Sequence, residues 1–276
     1  VTEIELDVRA TQRRGAPREA LEWTAAQQRY PHTGPRASAA GWEALWRARK
    51  GRFSRVRPTS PVSNELREAG LVTDAGAPGA AARTYLDVRE RGVLAISAVA
   101  QSGAVTSRWS CWVAPDRALV LAGPQLTSLG LPVDHRETLT LTTESLATGL
   151  LVSWMGDGPT WTFDHGAGPD TYLRRAVQAR VAAVTTLPAT PERASWSVRR
   201  AWQEGRWTEF DLGSRRAGVR QRLIRAGDLD WFRPVDRRGG LVELQTTAST
   251  DVMREVLAVY ESVRGVSTSR PAGPAA

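Results

Sequence analysis

Three short stretches rich in β-branched and apolar residues, Val93–Ala100, Val105–Val113 and Arg117–Ala122, follow one another through connectors built on Gln101-Ser102-Gly103 and Pro115-Asp116. Connectors this short cannot carry the chain back along a whole strand, so neighbouring strands must run antiparallel. The chain is therefore committed to a meander, and everything else must pack against it. A helix over about Gly79–Arg91, stopped at Gly92, leads in. Leu139 and Leu141 suggest a further strand, after which Thr143 can cap a helix striped by Leu146, Leu150, Leu151 and Trp154.

The last third repeats the order. Strands are expected near Arg206–Leu212, Val219–Arg225, Leu229–Val235 and Leu241–Gln245. A helix then starts near Thr250 with Val252, Val256, Val259, Tyr260 and Val263 on one face. Helix, strands, helix thus occurs twice, with negligible residue identity between the copies. This predicts an α+β fold, a pseudo-twofold domain on a central antiparallel sheet flanked by helices. One domain is expected over residues 1–265, with a helical subdomain over about 144–204 and a disordered tail over 266–276.

The remaining elements follow from local signals. Ile4, Leu6 and Val8 alternate with acids as in a half-buried strand, and Pro17 suits the first turn of a helix reaching about Arg29. Trp42, Leu45 and Trp46 have helical spacing. Ser63 or Asn64 can cap a short helix that Gly70-Leu71 ends, and Asp74-Ala75-Gly76 is a turn. In the centre, Asp170 is expected to cap a helix with Leu173, Val177, Val181 and Val184 inward. Thr190-Pro191 should open another containing Val198, Ala201 and Trp202.

With 41% hydrophobic and 24% charged residues, the composition is that of a globular protein. No apolar run approaches the roughly 18 residues of a membrane span. The sequence starts Val-Thr-Glu-Ile-Glu-Leu, without the features of a secretory signal, and Cys111 is the single cysteine. A reducing compartment, the cytoplasm, is expected.

The net charge of +8 is local. Arg47, Arg49, Lys50, Arg52, Arg55 and Arg57 form one acid-free stretch, and Arg215, Arg216, Arg220, Arg222 and Arg225 a second. Phosphates could be bound by such patches, with Phe53 available to stack a base. No RNA-recognition, zinc-finger or helix-turn-helix signature accompanies them, so solvated loops are the preferred reading. A basic nucleic-acid-binding protein using the Arg47–Arg57 and Arg215–Arg225 patches is the alternative.

Catalytic constellations are missing from the pattern. Lys50 is the only lysine and no glycine-rich loop leads into it, which excludes a phosphate-binding loop. His32, His135 and His165 lack metal-site spacing. Asp134-His135 and Asp164-His165 each place an acid beside an imidazole, but adjacent side chains on extended backbone point apart, and no Gly-x-Ser-x-Gly elbow offers a nucleophile. Asp228 and Asp230 flank Leu229 at a hairpin corner, where Asp favours turns for its own sake. The expectation is a non-enzyme without metal or cofactor. Eleven tryptophans outnumber four phenylalanines and four tyrosines together. Most should be core, with two or three at a partner surface.

The run Asn64-Glu65-Leu66-Arg67-Glu68-Ala69-Gly70-Leu71 with the turn Asp74-Ala75-Gly76, then Tyr85-Leu86, then the meander ending Trp112-Val113-Ala114-Pro115-Asp116-Arg117-Ala118-Leu119-Val120-Leu121-Ala122, resembles the EspG family, as does the closing part. There Leu229-Asp230-Trp231-Phe232 leads to Gly239-Gly240-Leu241-Val242-Glu243-Leu244 and Ser249-Thr250-Asp251-Val252. The resemblance spans about Glu65 to Arg264. It implies an actinobacterial cytosolic chaperone of type VII (ESX) secretion; separately, a monomer or weak homodimer is expected. Such a chaperone binds secreted PE–PPE-type helical heterodimers, or related small helical proteins, and shields an apolar helical tip until export. The family's site lies between the central sheet and the helical subdomain. On this chain that points to Leu150, Trp154, Trp161, Phe163, Leu173 and Val177 as partner-binding residues.

Overall fold

The computed structural model describes residues 30–48, 55–57, 60–126, 134–157, 170–183, 186–203, 206–227 and 230–268. The strand expected at Ile4–Val8, the helix from Pro17 and the end of the tail lie outside the described residues.

Helix α1 (Ala39–Ala48) buries Trp42 and Leu45, and Trp46 stacks on Trp42 with ring centroids 5.7 Å apart. Helix α2 (Pro61–Glu68) begins earlier than Ser63 or Asn64 would have it. Pro61 fits the first turn, where its missing N–H is no loss, and the Ser60 hydroxyl before it accepts from the Ser63 amide at 3.1 Å. The expected ending is present. Gly70 sits at φ +70°, and the Gly70 and Leu71 amides donate to the carbonyls of Arg67 and Leu66 at 2.9 and 2.8 Å, the paired bonds of a Schellman cap. Helix α3 (Ala80–Arg91) then enters the meander of β2 (Val93–Ser102), β3 (Val105–Val113), β4 (Ala118–Ala122) and β5 (Glu137–Thr142). A short β1 (Arg36–Ala37) pairs with β5 at the edge.

Helix α4 (Glu144–Met155) closes this half. The second half runs β6 (Asp170–Leu173), α5 (Arg174–Ala182), α6 (Trp196–Gln203), β7 (Trp207–Ser214), β8 (Val219–Ala226), β9 (Asp230–Arg237), β10 (Leu241–Thr247) and α7 (Ser249–Thr268). Two elements depart from expectation. Asp170 opens a strand, not a helix. Thr171, Tyr172 and Leu173 pair antiparallel with Glu243, Val242 and Leu241, burying Tyr172, and the helix waits until Arg174. Helix α6 starts at Trp196 instead of Thr190-Pro191, where the Ser195 hydroxyl accepts from the Val198 amide at 3.3 Å.

The described residues make an α+β fold built on a ten-stranded antiparallel sheet, in the order β1-β5-β4-β3-β2-β7-β8-β9-β10-β6. Each half consists of an edge strand, helices, a four-strand meander and a closing helix, and the halves meet where β2 pairs with β7. The join is reinforced: the Gly103 amide donates to the Val181 carbonyl at 2.9 Å, and the Ser102 hydroxyl to the Trp207 carbonyl at 2.8 Å.

Strand alternation assigns the layers. On one face, Ile96, Trp109, Cys111, Val120, Phe210, Leu223 and Trp231 pack under α4 and α7, meeting Leu151, Trp154, Val252, Val256 and Val259. The other face carries two clusters. Helices α1 to α3 cover Leu119 and Leu139, while α5 and α6 cover Ile224, Phe232, Val242 and Leu244. Trp42, Trp109, Trp154, Trp202, Trp207 and Trp231 are fully buried, each indole withdrawing on the order of 200 Å² from water. Tryptophan is thus chiefly the core-former here.

Candidate functional site

The described residues among those expected to bind a partner do not share one surface. Trp154 is core: its indole N–H donates to the Gly123 carbonyl at 2.9 Å and its ring meets Phe210 edge-on at 5.9 Å. Leu150 is half-buried beside it on α4. Val177 is buried under α5 in the cluster on the opposite face, and Leu173, 46% exposed, ends the edge strand β6. Trp161 and Phe163 lie outside the described residues. The span 144–204, read as one helical subdomain, contains α4 over one face, an edge strand, and α5 and α6 over the other.

Of the two acid–imidazole pairs, Asp134-His135 lies among the described residues. Asp134 bonds to Arg136 at 2.8 Å and to Arg36 at 3.0 Å, and Arg136 holds its carboxyl far below the usual range, while His135 is exposed. Asp164-His165 and Asp228 are outside the described residues. Burial pushes the Cys111 thiol up to about 12, with its Sγ 3.4 Å from the Tyr260 hydroxyl, so it is not an available thiolate. Among the described residues no three metal-ligating side chains cluster, and no helix is long and apolar enough to cross a membrane.

The second arginine stretch is split by the strand it occupies. Arg220 and Arg222 point to one face of β8, and Arg225 to the other. Arg225 is buried, donates to the Gly227 carbonyl at 2.8 Å and lies 5.6 Å from the Trp231 ring. Arg215 and Arg216 are exposed at the hairpin tip. In the first stretch Arg47 pairs with Glu43 at 3.1 Å, Arg55 and Arg57 are exposed, and Arg49, Lys50 and Arg52 are outside the described residues. The five charges of the second stretch therefore never form one basic patch.

Arg220 and Arg222 instead line a trough over the middle of the sheet, between the two helical clusters. Its volume is about 360 Å³, and its walls are Val99 and Gln101 of β2, Glu209 and Asp211 of β7, Arg220 and Arg222 of β8, and Arg174 and Gln178 of α5. Arg222 bonds to Glu209 at 2.6 Å and approaches Asp236 at 3.5 Å, Arg174 reaches Asp236 at 2.9 Å, and Arg220 Nε donates to Asp211 at 2.7 Å. Pairs that water still reaches, as it does these, stabilise by only ~0–1 kcal/mol each. Their larger effect is to fix a charge-balanced wall beside the apolar Val99, 40% exposed. The signal was in the sequence as acids and arginines spaced two apart on adjoining strands, Glu209 and Asp211 against Arg220 and Arg222.

No protein-family model matches the chain, and no curated protein matches it.

Proposed function

We propose that the chain is a non-enzymatic, EspG-like cytosolic chaperone of a type VII secretion system, which holds the apolar helical tip of a secreted PE–PPE-like heterodimer until export. The observation that carries this reading is the doubled connectivity. Edge strand, helices, four-strand meander and helix occur twice and join at β2–β7, and this order holds the Gly-Leu ending of α2, the meander and the C-terminal helix on which the resemblance from Glu65 to Arg264 rests.

The trough between α5 and the central strands supports the same reading, since it lies between sheet and helices, where the resemblance puts the substrate. Val99 offers apolar floor to a helix end. The ladder of Arg174, Arg220 and Arg222 with Glu209, Asp211 and Asp236 offers polar partners of both signs at the rim. A helix laid in a groove of this kind needs contact and exclusion of water, not a nucleophile. The partner contacts thus move from Trp154 and Val177, which the core uses, to Val99, Gln101 and Gln178.

Coexpression tests the reading. The wild type, coexpressed with secreted helical heterodimers encoded by its host's ESX loci, should yield one soluble ternary complex that survives size exclusion. Failure with every such heterodimer overturns the chaperone function.

A further inference from the structure

A second surface lies on the other side of the open sheet centre, at the border of the first helical cluster. Arg89 of α3 reaches out between two indoles: its guanidinium carbon is 4.6 Å from the Trp46 ring and 5.3 Å from the Trp112 ring. Both tryptophans are half-buried, as is Arg89. Leu94 lies beside Trp112 as its cross-strand partner and is 41% exposed.

Arg89 is unlike the arginines of the trough. No carboxylate among the described residues pairs with it, and its Nε is buried without an acceptor. Burial lowers its pKa. A cation partly stripped of water and held only by ring faces gains strongly from an incoming anion. Tryptophan and arginine are also the residue types enriched in interface hot spots.

We propose that Trp46, Arg89, Trp112 and Leu94 form a docking site for an acidic peptide segment of a partner protein, in which one Asp or Glu carboxylate pairs with Arg89. An apolar neighbour of that carboxylate packs on Leu94 and Trp112. Asp87 and Glu90 bracket Arg89 on α3, which disfavours a polyanion such as nucleic acid and tolerates a single carboxylate. The site is separate from the trough and stands whether or not the chaperone reading does.

The test is selection of a phage-displayed random peptide library on the wild-type protein, followed by anisotropy titration of synthetic copies of the enriched peptides. The enriched sequences should share an Asp or Glu beside Leu, Ile, Phe or Trp. Binding should weaken by about tenfold or more with Arg89→Gln, and separately with Leu94→Glu, which supplies a competing carboxylate in place. Leu94 is exposed, so its variant keeps the wild-type unfolding midpoint even if Arg89→Gln does not. No enrichment, enriched peptides without a shared acid, or equal binding to Leu94→Glu and wild type overturns the proposal. So does Arg89-dependent binding of a labelled thymidine oligonucleotide at physiological salt, which would make the anion a phosphate.

Discussion

Asp230 opens β9, is 2% exposed, and its Oδ1 has no hydrogen-bond partner among the described residues. Burial pushes its pKa up to about 8, against an opposing attraction from Arg200. In the folded protein it therefore keeps its proton at neutral pH, whereas in the unfolded chain it ionises near the ordinary 3.8. The folded state binds more protons across that interval, so stability falls as pH rises from about 4 to about 8 and then levels off. Asp230→Asn should leave stability at pH 4 nearly unchanged and raise it at pH 9 by on the order of 2–4 kcal/mol. Denaturant titrations at the two pH values check this, and an equal effect at both would refute it. In the sequence Asp230 reads as a turn acid; the burial that governs it comes from α6 packing on the strand, a contact that no local pattern encodes.

Among the elements, α4 tells core from surface most sharply. Leu146, Leu150, Leu151 and Trp154 read as one apolar stripe, yet Leu146 is 62% exposed while Ala147, Leu151, Trp154 and Met155 face the sheet. Leu146→Glu should shift stability by less than about 0.5 kcal/mol, whereas Leu151→Ala should cost about 2–5 kcal/mol, read from urea midpoints. A comparable loss from both would place Leu146 in a contact. The meander, the Schellman ending of α2 and the inward face of α7 were all legible, because period-two alternation, a Gly-Leu ending and a regular valine stripe are local signals. β6 was not. Asp170 has the chemistry of a helix cap, and only pairing with β10, some seventy residues on, turns the segment into an edge strand. Helix α6 was displaced for a related reason: Pro191 suits a first turn, but Ser195 supplies the cap.

For the molecule as a whole, the doubled order of helices and strands was legible, and the shape of its open centre was not. Where the trough opens depends on how α5 settles over β2 and β7, a contact between segments distant in sequence. Of the expected partner residues, Trp154 and Val177 belong to the core, while Leu173 stays exposed at the edge. The same geometry neutralises Arg220 and Arg222, so binding to generic DNA should be weak, nonspecific and steeply lost with salt. Sub-micromolar affinity at physiological salt would instead favour the nucleic-acid alternative.

The most direct measurement is calorimetric titration of a purified secreted helical heterodimer into the wild-type protein and into Val99→Glu. Val99 lies on the trough floor and outside every buried cluster, so the variant should fold with an unchanged unfolding midpoint. A charge placed there must lose its water when a helix end covers it. Saturable binding to the wild type is expected, with affinity weaker by about tenfold or more for Val99→Glu. Equal affinity for the two proteins would contradict the trough as the substrate site, and absence of binding to the wild type would contradict the chaperone function itself.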